Sequence, residues 1–335
     1  MGIATFLLVL AGGPAVIAGT MKVGEILAFF QYVFIIVAQM WQLSLLIPQI
    51  VSAEASAGRL REIWDADSDV SDEMHQNMVD LAKVKGGVIF ENVSFKYDKA
   101  SETEALKGIN LEVKPGETVA FLGSNGSGKS TLMTLIPRFY DPTKGRIPID
   151  GVDVKDIPQD NLRQIVGIAL QKAFLFSGKI IDNISFGHPD IPYEEAVTAA
   201  KVADADGFVS SLPEKYDAPV SRKGQNFSGG QQQRLSMARA FTVKPRILIL
   251  DDSTSAVDVE TEGKILGALP QFLSGVTRLI ISSRVSTALA ADKIVILDKG
   301  EIVAVGTHKE LISSSPLYKE IFASQLGGLR KEDVS

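Results

Sequence analysis

A glycine-rich run with one lysine is the first segment whose residue types could do chemistry. It reads Gly-Ser-Asn-Gly-Ser-Gly-Lys-Ser-Thr and fits the pattern G-x-x-x-x-G-K-[ST]. Its glycines let backbone N–H groups turn inward around phosphate oxygens, and the following helix N-terminus adds positive charge. The pattern predicts that Lys129 reaches the β- and γ-phosphates of a nucleotide and that the Ser130 hydroxyl binds Mg²⁺. The predicted nucleotide contacts are Gly123, Ser124, Asn125, Gly126, Ser127, Gly128, Lys129, Ser130 and Thr131.

Two adjacent aspartates follow an apolar run further along the chain. Residues 247–250 are Ile-Leu-Ile-Leu, which predicts a strand, and Asp251 and Asp252 come next. On their own, two aspartates after a strand are as typical of a capped turn as of a metal site. In a chain with a phosphate loop, a carboxylate at a strand end is suited to a magnesium contact. We therefore predict that Asp251 binds the metal.

A second predicted helix start resembles an anion site. Ser228, Gly229, Gly230 and Gln231 open this helix, and the N-terminus of a helix attracts anions. One nucleotide hardly needs two such helix ends from a single chain. We therefore predict a dimer in which this end closes on the nucleotide that another subunit holds.

Short strands and helices alternate over the part of the chain that carries these residues. Such alternation favours a mainly parallel α/β sheet. The phosphate loop follows one predicted strand directly and precedes a helix, as its chemistry requires. The sequence predicts strands at residues 88–90, 93–95, 118–122, 247–250, 278–281 and 293–297, and helices that include residues 130–139 and 231–242.

Together these motifs resemble the nucleotide-binding domain of ABC transporters from about residue 86 to residue 325. Residues 227–231 are similar to the family's signature motif, with Phe227 where leucine is usual. Apolar helices that precede this domain in the same chain resemble ABC exporters. The resemblance implies an α/β P-loop NTPase with a mainly parallel sheet, an antiparallel β subdomain and a helical subdomain. It also implies ATP and Mg²⁺ as cofactors.

The same resemblance assigns further residues. Tyr97 resembles the aromatic residue that stacks on adenine, and Gln171 resembles the glutamine that links Mg²⁺ to the membrane helices. Residues 253–258 resemble the family's D-loop, with Asp258 as its acid. Considered alone, Tyr97 also fits a strand-end aromatic residue and Gln171 a surface amide. Their register with the other motifs favours the functional interpretation.

Two positions depart from the family pattern where hydrolysis would occur. The family places glutamate after the metal-binding aspartate, as general base, and a histidine against the γ-phosphate. This chain has Asp252 and Ser283 there. Residues 221–224 also differ, because they are basic where exporters usually carry an acid. Asp252 and Ser283, together with Gln171, form the predicted catalytic set of a weakened site.

Both departures fall in the composite site built on this chain's own phosphate loop. The nearly intact signature would serve the opposite site. We therefore predict a heterodimer with a second ABC half-transporter subunit, and a homodimer with two slow sites is the alternative.

Composition excludes several other classes of protein. The chain has 335 residues, 45% of them hydrophobic, with no cysteine, three histidines and a net charge of −6. The lack of cysteine excludes disulfide frameworks, thiolate metal sites and cysteine nucleophiles. An acidic balance argues against nucleic acid as a partner. The length suggests about two domains.

The first 52 residues carry charge only at Lys22 and Glu25. Residues 1–21 and 26–53 are uncharged, and each is long enough for a membrane-spanning helix of about 20 residues. A signal peptide is the alternative for the first stretch, but no lysine or arginine precedes it. Arg59 and Arg61 at the exit of the second stretch predict a cytoplasmic side there. We expect a multi-pass protein of the plasma membrane, in contact with lipid, with its ATPase domain in the cytoplasm.

The predicted organisation has four parts: a transmembrane helical hairpin (1–52), a cytoplasmic helix extension and linker (53–85), the nucleotide-binding domain (86–328) and a tail (329–335). Exporter half-transporters of this type carry six spanning helices, so the chain resembles the last two helices plus the ATPase domain, as a fragment or a truncated gene. The predicted function is export of a small molecule or lipid coupled to ATP hydrolysis. The alternatives are a soluble ABC ATPase and a truncated remnant that binds ATP without a transport path.

Overall fold

A computed structural model of the chain describes residues 2–66, 70, 80–98, 102–188 and 190–326. Contacts within it divide the chain into two compact units, Met1–Ser68 and Asp69–Ser335. The described part of the first unit is helical, and the second unit holds all the described strands.

Two apolar helices form the first unit, α1 (Gly2–Ile17) and α2 (Val23–Trp64). The turn at residues 18–22 reverses the chain between them. The helices pack closely where Gly12 meets Ile26, since a Cβ atom at Gly12 would lie 2.8 Å from the Ile26 Cδ1. Helices α1 and α2 thus form a helical hairpin.

Among the described helices, α2 alone is long and apolar enough to cross a membrane. Its 42 residues rise about 63 Å at roughly 1.5 Å per residue. That length is about twice the ~30 Å thickness of a bilayer's hydrocarbon core, so α2 is long enough to cross a bilayer and continue beyond it. Helix α1 has 16 residues and is shorter than the ~20 that a span needs. Of the two predicted spans, the second is therefore the one supported.

The second unit is built on two main sheets and one short strand pair. The residues of the central strands are almost all apolar and inaccessible to water, as is typical of parallel strands that are covered on both faces. The strands are β1 (Val88–Phe95), β2 (Leu106–Val113), β3 (Thr118–Leu122), β4 (Lys144–Arg146), β5 (Pro148–Ile149), β6 (Val152–Asp153), β7 (Val166–Ala169), β8 (Gly178–Lys179), β9 (Pro219–Val220), β10 (Ile247–Asp251), β11 (Thr277–Ile281), β12 (Lys293–Asp298) and β13 (Glu301–Gly306).

The larger sheet has the order β13-β12-β3-β11-β10-β7, and all its pairs are parallel except the edge pair of β12 and β13. The second sheet is antiparallel, with the order β2-β1-β5-β6 and with β4 paired to β1. Strands β8 and β9 pair separately. The parallel sheet and the antiparallel subdomain are those of the predicted fold class.

Helices cover both faces of the larger sheet and form separate apolar clusters with it. Helices α5 to α8 contact one another as the predicted helical subdomain. The helices are α3 (Lys129–Leu135), α4 (Gln159–Ile165), α5 (Ile180–Ile184), α6 (Tyr193–Val202), α7 (Asp206–Ser210), α8 (Gly229–Thr242), α9 (Val259–Phe272), α10 (Val285–Leu289), α11 (His308–Ser314) and α12 (Pro316–Leu326).

Two element boundaries differ from the sequence prediction. The separately predicted strands 88–90 and 93–95 form one strand, β1, which bulges around Asn92, a residue with a φ of 49°. The helix predicted for residues 130–139 ends at Leu135, and Arg138 then adopts a φ of 55° and pairs with Asp141 at 2.9 Å. Residues 67–69 and 71–79 of the predicted helix extension and linker, and the whole predicted tail, lie outside the described residues.

Two valines on neighbouring strands test the contribution of the sheet core to stability. Val295 in β12 is fully buried, whereas the side chain of Val303 in β13 is 51% exposed. We expect Val295→Ala to lower the free energy of unfolding by about 2 kcal/mol, because it removes two buried methyl groups and leaves a cavity. Val303→Ala, the matched control, should change it by less than about 0.5 kcal/mol. Urea unfolding followed by circular dichroism measures both, and equal losses would contradict this assignment of the core.

Candidate functional site

Three neighbouring parallel strands end at one edge of the larger sheet. Strand β3 leads into the glycine-rich loop, β10 ends at Asp251, and β11 leads into residues 282–287. The cavity at this edge is lined by most of the predicted residues. Its lining comprises Tyr97, Ala105, Gly123, Asn125, Gly126, Gly128, Lys129, Ser130, Thr131, Gln171, Asp251, Asp252, Ile281 and Ser283.

Backbone crowding explains the first and last glycines of the loop. Gly123 has a φ of 144°, and a Cβ atom there would lie 2.1 Å from the carbonyl oxygen of Leu297. Gly128 has a φ of 103°, and a Cβ atom there would lie 2.8 Å from the Leu106 Cδ2. The clash at Gly123 is with the backbone, and both positions have a positive φ that residues with a Cβ atom rarely adopt. The loop is therefore free to present its N–H groups at the start of α3.

Lys129 lies along the loop with its ammonium group on loop oxygens. Its Nζ donates to the carbonyl oxygens of Gly123 at 2.9 Å and Ser124 at 2.8 Å, and to the Ser127 Oγ at 3.3 Å. Burial lowers the pKa of Lys129, and the charges of the two nearby aspartates oppose that effect. These hydrogen bonds go to neutral acceptors, and a phosphate group would be the stronger acceptor.

A hydroxyl and a carboxylate meet where the metal is predicted. The Ser130 Oγ donates to the Asp251 Oδ1 at 2.9 Å, and Asp251 is buried. Burial raises the pKa of Asp251, whereas the hydrogen bond from Ser130 lowers it. Oxygen donors of this kind suit Mg²⁺, which is usually bound by one or two protein groups together with phosphates and water. The described residues contain no cluster of three or more metal-ligating side chains, so these donors fit a metal that arrives with a phosphate ligand.

Asp252 and Ser283 are direct neighbours in the cavity. Both line it, and the Asp252 carboxylate accepts a hydrogen bond from the Gln171 Nε2 at 3.1 Å. Burial raises the pKa of Asp252, and the nearby Ser283 backbone and Gln171 side chain oppose that rise. Gln171, predicted to bind the metal, therefore contacts Asp252 in this structure. The two departures from the family pattern lie side by side.

Tyr97 lies at the mouth of the cavity with its ring 61% exposed. Its hydroxyl lies 2.9 Å from the Thr131 Oγ1, and its ring meets that of Tyr140 edge to face, with centroids 5.4 Å apart. An exposed aromatic face beside a phosphate loop could stack on a base. Tyr140 was not predicted from the sequence, because only the chain's long-range folding brings it to Tyr97.

The predicted signature residues do not line this cavity. Ser228 caps α8 by accepting from the Gln231 N–H at 3.3 Å, while the Gln231 Oε1 accepts from the Ser228 N–H at 2.9 Å. A Cβ atom at Gly230 would lie 2.7 Å from the carbonyl oxygen of Ala256, so this glycine lets α8 approach residues 253–258 closely. Ser228 and Gly229 are exposed, which leaves the helix start open to solvent.

A buried glutamine joins α8 to residues 253–258. The Gln233 Oε1 accepts from the Ala256 N–H at 2.9 Å, and its Nε2 donates to the Ser255 Oγ at 3.0 Å. Asp258 lies outside the cavity and caps α9, accepting from the Thr261 N–H at 2.9 Å. That hydrogen bond lowers the pKa of Asp258. Gln233 was not predicted as a connection, although its place in the signature helix was visible in the sequence.

Comparison with known proteins identifies the domain that carries this cavity. Residues 106–255 match the sequence family described as ABC transporter. The chain is 41% identical over 327 residues to the ABC transporter ATP-binding protein YfiB of Bacillus subtilis, covering 98% of this chain and 56% of that protein. It is also 41% identical over 323 residues to YgaD of Bacillus subtilis, whose name proposes a multidrug export ATP-binding/permease role, covering 96% of this chain and 55% of YgaD.

A solved structure of a bacterial Atm1-family ABC exporter with ATP bound matches 91% of the chain and 53% of its own length, with a TM-score of 0.76 and 34% identity. The chain thus spans about half the length of the relatives it matches. The fold, the glycine-rich loop and these relatives all indicate the same family. The chain contains the ATP-binding domain of an ABC transporter, and its relatives are of the exporter type.

Proposed function

We propose that the chain is an ATP-binding and permease subunit of an ABC exporter whose own ATP site hydrolyses slowly. The observation that carries this proposal is that an intact phosphate loop shares one cavity with Asp252 and Ser283. The Asp252 carboxylate is one methylene shorter than a glutamate, which sets it back by about 1.5 Å. A misplacement of about 1 Å can cost roughly 10²-fold in rate. Serine is also shorter than an imidazole, so its contact with the γ-phosphate would be weaker.

The residues of the cavity divide the work of holding the nucleotide. Lys129 and the loop N–H groups would bind the phosphates, and Ser130 and Asp251 would hold Mg²⁺, which supplies positive charge to the phosphate oxygens. Tyr97 would stack on the adenine. Asp252 would orient water and accept its proton, with Gln171 fixing its carboxylate.

The open start of α8 supports a shared site with a second subunit. Ser228, Gly229 and Gly230 lie outside the chain's own cavity, and the first two are exposed. A helix start of this kind favours an anion. We infer that it closes on the nucleotide of a partner that carries the glutamate and histidine this chain lacks. The proposed assembly is therefore a heterodimer with a second ABC half-transporter subunit.

The apolar helix α2 and the names of the relatives support a membrane transport role. Helix α2 meets the length and composition needed to span a bilayer, and YgaD is named for multidrug export. We infer that the assembled exporter lies in the plasma membrane with its ATPase domain in the cytoplasm. Its cargo would be a small molecule or a lipid.

Variants of Lys129 and Asp252 test the division between binding and hydrolysis. We expect Lys129→Ala to weaken ATP binding by about 1.5–3 kcal/mol, the range for hydrogen bonds to charged groups. Asp252→Asn should leave binding within about twofold, because its carboxylate contacts Gln171 and Ser283 rather than the loop. Equilibrium binding of a fluorescent ATP analogue with Mg²⁺ measures both. Equal loss of binding in the two variants would contradict the proposed roles.

Restoring the family residues tests the weakened site. We expect the double variant Asp252→Glu, Ser283→His to raise turnover in this chain's own site of the assembled complex by at least about tenfold, because the longer groups reach the water and the γ-phosphate. Ser228→Arg should instead abolish most hydrolysis by the complex without changing ATP binding to this chain, since Ser228 serves the partner's site. The weakened-site proposal fails if the unmodified chain already turns over as fast as the double variant.

Three glutamines on α2 test a water-lined transport path. Gln31, Gln42 and Gln49 lie within about 20° of one another around the helix at 100° per residue, and amides in a bilayer core need a protein or water environment. We expect Gln31→Cys, Gln42→Cys and Gln49→Cys in the assembled exporter to react with a water-soluble thiol reagent. The chain has no native cysteine, so labelling reports the introduced residue. Stronger labelling of the control Ile36→Cys would contradict the prediction.

A further inference from the structure

The last turn of α12 holds the backbone beside Ser283. The Val285 N–H donates to the Gln325 Oε1 at 2.7 Å, and the Gln325 Nε2 donates to the carbonyl oxygen of Ser283. Because an N–H group can only donate, the bond from Val285 fixes which end of the Gln325 amide is oxygen. One side chain therefore bridges the residue that lines the cavity and the first residue of α10.

Ser283 lies between the cavity and α12. On one side it lines the cavity together with Asp252, and on the other its carbonyl oxygen accepts a hydrogen bond from Gln325. This hydrogen bond connects the lining of the cavity to the last turn of α12 at the protein surface. A change at Gln325 is transmitted to Ser283 without passing through the phosphate loop.

Helix α12 is itself firmly anchored to the sheet. Tyr318 is fully buried, and its hydroxyl lies 2.8 Å from the His308 Nδ1. Tyr318 and Phe322 pack in one apolar cluster with residues of β3 and β12. Gln325 follows Tyr318 by seven residues and Phe322 by three, so it lies on the same face of the helix. The Gln325 amide is therefore carried by a helix that packs against the larger sheet.

A buried carboxylate fixes the inner side of the same segment. Glu262 is 3% exposed and accepts from the Thr287 Oγ1 at 2.9 Å and from the Arg284 guanidinium. Residues 284 and 287 are thus hydrogen-bonded to α9, and these contacts do not involve α12. Gln325, by contrast, hydrogen-bonds directly to Ser283, through its carbonyl oxygen.

We propose that Gln325 is a positioning residue that sets the place of Ser283 at the γ-phosphate side of the nucleotide cavity. This inference rests on the proposed function, since it requires that the cavity binds ATP. Loss of the amide would free the Ser283 carbonyl and leave the phosphate loop intact. The effect falls on contacts to the terminal phosphate, which ADP lacks, and not on the contacts that ADP and ATP share.

The test measures ATP and ADP affinities of the full chain with Mg²⁺, for the unmodified protein and three variants. We expect Gln325→Ala to lower the ratio of ATP to ADP affinity by about threefold to tenfold, the effect of one lost hydrogen bond, with ADP affinity unchanged. Gln325→Glu keeps the acceptor for Val285 but turns an oxygen toward the Ser283 carbonyl, so its ratio should fall at least as far. Glu320→Ala, on an exposed part of α12, should match the unmodified chain.

The outcomes separate this inference from the proposed function. If the unmodified chain binds no ATP, the proposed function fails. If it binds ATP and Gln325→Ala keeps the normal affinity ratio, the positioning role fails while the proposed function stands. An equal loss of ATP and ADP affinity, or a normal ratio in Gln325→Glu, would also overturn the positioning role.

Discussion

Parallel pairing of β3, β11 and β10 determines what the rest of the domain can do. Residue pairs such as Ile281 with Phe121 and with Asp251 put the strand ends in register. Parallel strands end at the same edge of a sheet, so the segments that follow them converge without a dedicated scaffold. The glycine-rich loop, the aspartates and the segment containing Ser283 meet for this reason. A slip of one residue in either pair would turn these side chains away from the cavity.

The acidic and basic side chains that line the cavity at this edge do not balance in charge. Two carboxylates, Asp251 and Asp252, face one ammonium group, Lys129. A bare triphosphate would add further negative charge beside buried carboxylates, at high electrostatic cost. A divalent cation held by Asp251 would reduce that repulsion, and the Ser130 hydroxyl, which donates to the Asp251 Oδ1, would supply a second oxygen ligand. The cavity therefore suits a metal–nucleotide pair better than either component alone.

Local patterns in the sequence account for the loop, the parallel strands and the start of α8, because each depends on neighbouring residues. Long-range contacts were not predictable in the same way. Tyr140 reaches Tyr97, and Gln325 reaches Ser283 across 42 residues, only after the chain has folded. The early end of α3 arises from the left-handed backbone at Arg138, which no turn motif signals. The fold was thus largely predictable, whereas the connections around the site were not.

The buried amide of Gln233 has a thermodynamic consequence. It fastens the first turn of α8 to residues 253–258, which follow the two aspartates directly. A ligand that displaces one of these segments must displace the other or break the two hydrogen bonds of Gln233. By thermodynamic linkage, such coupling is reciprocal. If a nucleotide in the cavity changes the affinity at the α8 start by some factor, then binding at the α8 start changes the affinity for the nucleotide by the same factor.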